Sequence, residues 1–111
     1  MSAEREAALD ACGRQQGADL SHPFGPQAAV FKVAGKIFAV IGLESEPSQL
    51  TLKCDPEHSE VLRAEHDSIN PGYHMNKRHW ITVTLDGTLP RTMIEELIED
   101  SFDLVAPAKK A

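Results

Sequence analysis

The chain has 111 residues, 41% of them apolar and 25% charged, which is the composition of one ordinary globular domain able to bury a core without metals or disulfides. Seventeen acidic residues against eleven basic ones give a formal charge of −6, which argues against strong nonspecific attraction to phosphate at long range. No apolar run approaches the ~18 residues of a membrane span, and the first fifteen residues lack the apolar stretch of a signal peptide, so a cytoplasmic protein with reduced Cys12 and Cys54 is expected.

In chain order, Ala3 to Cys12 reads as a first helix, rich in alanine and ended by Gly13 and Gly17. The segment LSHPFGPQ is dense in turn formers. AVFKVA (29–34) and IFAVIGL (37–43) then switch to strand character around Gly35-Lys36, which predicts a hairpin with Lys36 at its tip. SQLTLKC (48–54) alternates with Leu50, Leu52 and Cys54 on one face. Asp55-Pro56-Glu57 opens a helix: Asp55 caps, Pro56 takes the first helical position and Glu57 complements the dipole. That helix is expected to run to about Glu65 with Val61, Leu62 and Ala64 inward. Ile69 to Lys77 reads as irregular. WITVTL (80–85) alternates with Ile81, Val83 and Leu85 inward and Thr82 and Thr84 outward. From Pro90, the residues Met93, Ile94, Leu97, Ile98, Phe102 and Val105 keep a 3.6-residue period. Adjacent strands followed by helices predict an α+β domain over 1–111, with an antiparallel sheet of about four to six strands and helices packed on one face.

Residues 71–80, PGYHMNKRHW, gather the single tyrosine, the single tryptophan, two of the five histidines and a Lys-Arg pair with no acid among them. Residues 20–43 hold Lys32 and Lys36 and no acid, and residues 68–85 hold Lys77 and Arg78 and no acid. If both windows fold onto one face, that face is neutral to basic on an acidic body. Lys32 and Lys53 are expected to project from the open face of the sheet beside Thr51, Thr82 and Thr84.

Three segments, HPFGPQAAVFKVAGKIFAV (22–40), LKCDPE (52–57) and PGYHMNKRHWITVTLDG (71–87), resemble the MmcQ/YjbR family of small bacterial proteins in order and spacing. The resemblance covers nearly the whole chain, and PGYHMNKRHW is its most specific part. It implies a fold similar to the CyaY/frataxin-like α+β proteins, also described as a double wing, and a DNA-binding label given on that basis. It implies no catalytic residues.

Four chemistries are open to these residues. In the first, Lys32, Lys36, Lys53, Lys77 and Arg78 hold phosphates. Asn76 and the threonines add hydrogen bonds, and Tyr73, His74, His79 or Trp80 stacks on unpaired bases. In the second, His74, Asn76, Lys77, Arg78 and His79 line a site for an anionic small molecule or a protein, with Trp80 as its wall. In the third, a metal is held by His74 and His79 or by Glu4, Glu6 and Asp10; the histidine spacing suits neither helix nor strand, and three acids on a terminal helix read as a solvated face. In the fourth, Cys54 before a helix N-terminus is an activated thiol, but its apolar strand face favours packing, and no G-x-S-x-G, phosphate-binding glycine loop or H-E-x-x-H is present. Each ring also has a structural alternative: Trp80 in edge packing, Tyr73 locking a turn, both histidines bonded to backbone. The expectation is therefore a non-enzymatic protein without cofactors, DNA as partner, an anionic ligand or protein as the alternative, no membrane, and a monomer or weak dimer.

Overall fold

The computed structural model describes residues 3–72 and 76–107. Among them are α1 (Ala3–Gly13), β1 (Asp19–Ser21), β2 (Ala28–Val33), β3 (Lys36–Gly42), β4 (Gln49–Lys53), α2 (Pro56–Glu65), β5 (Ile69–Pro71), β6 (Trp80–Thr84) and α3 (Arg91–Val105). The strands form one antiparallel sheet in the order β1-β2-β3-β4-β6-β5. The fold is the expected α+β class at the upper end of the expected strand number.

One face of the sheet carries the core. Register places Phe31, Ala39, Leu52 and Ile81 in one cross-strand row and Ala29, Ile41, Leu50, Val83 and Ile69 in the next. All are buried, and they share one apolar cluster with Ala8, Ala11 and Cys12 of α1, Leu62 of α2, and Ile94, Leu97, Ile98, Phe102 and Val105 of α3. The alternation of strand side chains fixes which residues these are.

Several local expectations change. The β2–β3 turn is Ala34-Gly35, with φ of 52° and 80°, the twist-matched type I′ geometry. Lys36 is accordingly the first residue of β3, paired with Val33, and not the tip. The stretch expected to be irregular contains β5, whose Pro71 pairs with Ile81 at the sheet edge, where a missing N–H does no harm. In α2, Val61 is 51% exposed and Ala64 is exposed; the inward residues are Ser59 and Leu62. Asp55 does cap that helix, accepting from the His58 backbone N–H at 3.4 Å. β1 falls in the stretch before LSHPFGPQ and extends into it.

The sheet contains one irregularity of consequence. Phe31 pairs with Ala39, but Lys32 pairs with Ile37, so Phe38 is an extra residue, a β-bulge. The bulge turns Phe38 into the core, where its ring meets Phe102 edge-on at 5.3 Å and lies 6.3 Å from Phe31. It also ends the β3–β4 ladder, which stops at Ala39 and Leu52. The Ser101 hydroxyl of α3 fills the break: it donates to the Phe38 carbonyl at 2.6 Å and accepts from the Lys53 N–H at 2.9 Å. Ser101 is fully buried, and neither backbone group is left unpaired.

At the other side of β6, the Gly72 N–H donates to the Trp80 carbonyl at 2.9 Å. A Cβ on Gly72 would lie 2.7 Å from the Trp80 Cβ and 3.1 Å from its carbonyl carbon, inside any real contact distance.

Two stability predictions follow from these contacts. Ser101→Ala removes one partner from each of two buried backbone groups and is expected to lower unfolding free energy by roughly 2–4 kcal/mol. Gly72→Ala forces β5 and β6 apart and is expected to lower it by about 1–3 kcal/mol. Urea unfolding of both variants measures this. A midpoint unchanged in Ser101→Ala would show that the hydroxyl does not bridge the strands.

Candidate functional site

Beyond Phe38 and Lys53, β3 and β4 no longer pair, and the gap between their ends is an open hollow of about 460 Å³. It is lined by Lys36 and Ile37 of β3, Lys53 of β4, Trp80 of β6, Asn76 and Val105. Val105 stands one helical turn beyond Ser101, so the helix that bridges the break also contributes the wall behind it. Trp80, paired directly with Lys53, is half-buried. The β4–β6 ladder continues one step further, since the Cys54 N–H donates to the His79 carbonyl at 2.8 Å.

Residues 76–79 form a tight turn leading into β6. The His79 N–H donates to the Asn76 carbonyl at 3.1 Å, and the Arg78 N–H donates to Asn76 Oδ1 at 2.9 Å. Asn76 is thus a turn-forming residue through its own side chain. Lys77 and Arg78 occupy the two central positions, both exposed, as is His79.

The structure brings Lys36, Lys53, Asn76 and Trp80 into one concavity, with Lys77 and Arg78 on the turn that holds Asn76. Lys32 lies next to Ile37 across β2–β3 and is half-buried, with Asp19 opposite it on β1. His74 and Tyr73, expected to contribute, lie outside the described residues. The threonines on the sheet face away from the helices contribute less than expected. Thr82 is fully buried, Thr51 and Thr84 are half-buried, and the Thr51 and Thr82 hydroxyls lie 3.4 Å apart. The basic residues therefore converge at an end of the sheet, around the parted strands, and not across its open face. The bulge that creates this hollow was not expected.

Among the described residues, the cations divide into two groups. Arg5 pairs with Glu46 and donates to the Leu43 carbonyl; Arg14 pairs with Asp10 and Glu95; Arg63 donates to Ser59. Lys32, Lys36, Lys53, Lys77 and Arg78 form no ion pair with a described carboxylate, and neither does Arg91, which opens α3 outside the hollow. The acids concentrate elsewhere, with Glu95, Glu96, Glu99, Asp100 and Asp103 on α3 alone.

Lys53 is also on the rim of a second groove, about 300 Å³, lined by Cys54, Asp55, His58, Ile81, Leu97, Asp100, Asp103 and Leu104. Burial pushes the Cys54 thiol up to about 11, with the charges of Asp55 and Asp100 acting in the same direction and Arg63 against them. The thiol is protonated at neutral pH, so proximity to the α2 N-terminus does not activate it. No group of three or more metal-capable side chains occurs among the described residues. No helix among them is long and apolar enough to cross a membrane.

Known proteins share both sequence and fold with this chain. The YjbR family model matches residues 14–104. The protein YbdF of Escherichia coli O157:H7 is 41% identical over 87 residues, covering 78% of this chain and 71% of that one. YjbR of Escherichia coli K12 is 38% identical over 95 residues, covering 85% of this chain and 80% of that one. The crystal structure of Deinococcus radiodurans DR2400 superposes with a TM-score of 0.82 at 42% identity, over 86% of this chain and 73% of that one. A Pseudomonas syringae protein, structural-genomics target PsR293, superposes at 0.77 with 34% identity, over 95% and 99%. On the length and identity of these matches, the chain belongs to the YjbR family.

Proposed function

We propose that this protein binds DNA through the cationic end of its sheet and performs no reaction there. One observation carries the reading: Lys36, Lys53, Lys77 and Arg78 gather around the hollow and its turn without a described carboxylate partner, while Arg5 and Arg14 are tied to acids. An unpaired ammonium or guanidinium at an exposed position has little structural value, whereas it is well suited to phosphate. The family resemblance carries a double-wing, DNA-binding expectation, and the β2–β3 hairpin that delivers Lys36 is the element a wing would use. This reading is consistent with a cytoplasmic location.

A second reading is favoured by the hollow itself. Its volume falls within the range of small-ligand sites, and its Lys36, Lys53 and Trp80 lining suits an anionic metabolite. DNA is preferred because the cations continue past the hollow onto the Lys77-Arg78 turn, more charge than one small anion engages.

With Lys36, Lys53, Lys77 and Arg78 as phosphate contacts, the logarithmic salt slope of binding is expected to be roughly −3 to −4. Replacing Lys77 and Arg78 together by Ala is expected to weaken binding at least about tenfold and reduce the slope by roughly 2. The exposed turn keeps its backbone hydrogen bonds, so the thermal midpoint should move by no more than about 2 °C. Titrations at low and moderate salt, with unfolding curves of both proteins, decide the matter. A double variant that binds DNA unchanged excludes this surface.

A further inference from the structure

The hollow has a composition that a purely phosphate-binding surface does not require. Its walls are apolar at Ile37, Val105 and the Trp80 indole, while its polar groups, Lys36, Lys53 and Asn76, are two cations and an amide. Asn76 Oδ1 is already engaged by the Arg78 N–H. Its amide nitrogen makes no hydrogen bond with a described residue and remains able to donate. A flat aromatic ring flanked by phosphates satisfies all of these features at once: stacking on the indole, accepting from the amide, and charge neutralisation by the lysines.

A base paired within a duplex cannot reach such a site. Its faces are covered by neighbouring pairs and its edge by its partner, and the hollow is concave, set between strand ends. Only an unpaired base can enter it. The number of free cations points the same way, being small for a duplex surface but sufficient for a short single strand on a stacking platform. We therefore propose that the preferred ligand is single-stranded DNA, with one unpaired base seated in the hollow against Trp80 and the flanking phosphates on Lys36, Lys53 and the Lys77-Arg78 turn. This inference rests on the DNA-binding reading and specifies the strand form.

The test compares a thymidine oligonucleotide of about 12 nucleotides, the duplex of the same length, and thymidine monophosphate at low salt. Affinity is read by anisotropy of labelled DNA and by competition with the mononucleotide; Trp80, the single tryptophan, reports occupancy through its emission. The single strand is expected to bind about tenfold tighter than the duplex and to quench that emission at saturation. Trp80→Leu is expected to lose about tenfold in affinity, and Trp80→Phe to stay within about threefold of the parent. If Trp80→Leu fails to fold, the emission of the parent protein and the affinity of Lys53→Gln, expected to fall, still decide. Both DNA forms binding equally with unchanged emission overturns the stacking proposal and leaves the DNA reading intact. Thymidine monophosphate binding as tightly as the oligonucleotide overturns it in favour of a small-ligand site. Absence of binding to either DNA form overturns the DNA reading itself.

Discussion

A single buried hydroxyl bridges the point at which two central strands of this molecule part. Where the Phe38 bulge interrupts the β3–β4 ladder, Ser101 accepts from one strand and donates to the other, so the break in the sheet is satisfied without the strands closing. A carbonyl and an N–H left unpaired at that depth would cost about 1–3 kcal/mol each, enough to favour re-pairing of the strands or entry of water. The aromatic contacts of Phe38 with Phe102 and Phe31 fix the bulge from the core side. Ser101 thus ties α3 to both strands where they part, and the strand ends beyond it remain apart. The hollow follows from that tie.

The charge distribution has a similar local logic. Arg5 on α1 and Arg14 just after it are placed where carboxylates or carbonyl oxygens are within reach, and they tie the helix to the loop at Leu43 and Glu46 and its end to α3. The lysines at the sheet end have no such role. Lys36 opens a strand at an exposed position, and Lys77 and Arg78 project from a turn whose hydrogen bonds are all made by backbone and by Asn76. Lys53 is the intermediate case. Its backbone N–H is part of the Ser101 bridge, its cross-strand partner is Trp80, and its side chain stands between the hollow and an acidic groove.

The sequence made the broad architecture legible because strand alternation and helix period are strong where one face is buried. WITVTL and the last helix are clear cases, and Asp55-Pro56 marked its helix start. Three features were less legible. β5 is three residues long and ends in proline, so its pairing depends on β6 and not on its own composition. Val61 looked inward because it is apolar, but the α2 surface against the sheet is narrow and is filled by Ser59 and Leu62. The bulge leaves no mark in Phe38 itself. Its one sequence signal was Ser101, a polar residue on the same helical stripe as Leu97, Ile98 and Val105, where an unbroken apolar face would have placed an aliphatic side chain. The decapeptide proved divided in role: Pro71, Gly72 and the half-buried Trp80 belong to strand pairing, Asn76 to the turn, and Lys77 and Arg78 to the exposed surface, with Trp80 also lining the hollow.

That division explains how a chain of net charge −6 can present a cationic contact surface. At physiological ionic strength exposed charges are screened beyond about 8 Å, so on the proposed DNA-binding reading the distant acids act weakly on a bound strand, and the acids that bear on it are Asp100 and Asp103, which line the groove beside Lys53. The long-range repulsion slows encounter and discourages indiscriminate binding to duplex backbone, which is everywhere. On the proposed reading, what distinguishes a productive ligand is its fit to the hollow and to Trp80, not its charge alone. Phe38 and Ser101, which set the break beside the hollow, are buried, whereas Lys36, Lys77 and Arg78 are exposed. Geometry and charge are therefore carried by different residues, which on the proposed reading assigns selectivity to the first and affinity to the second.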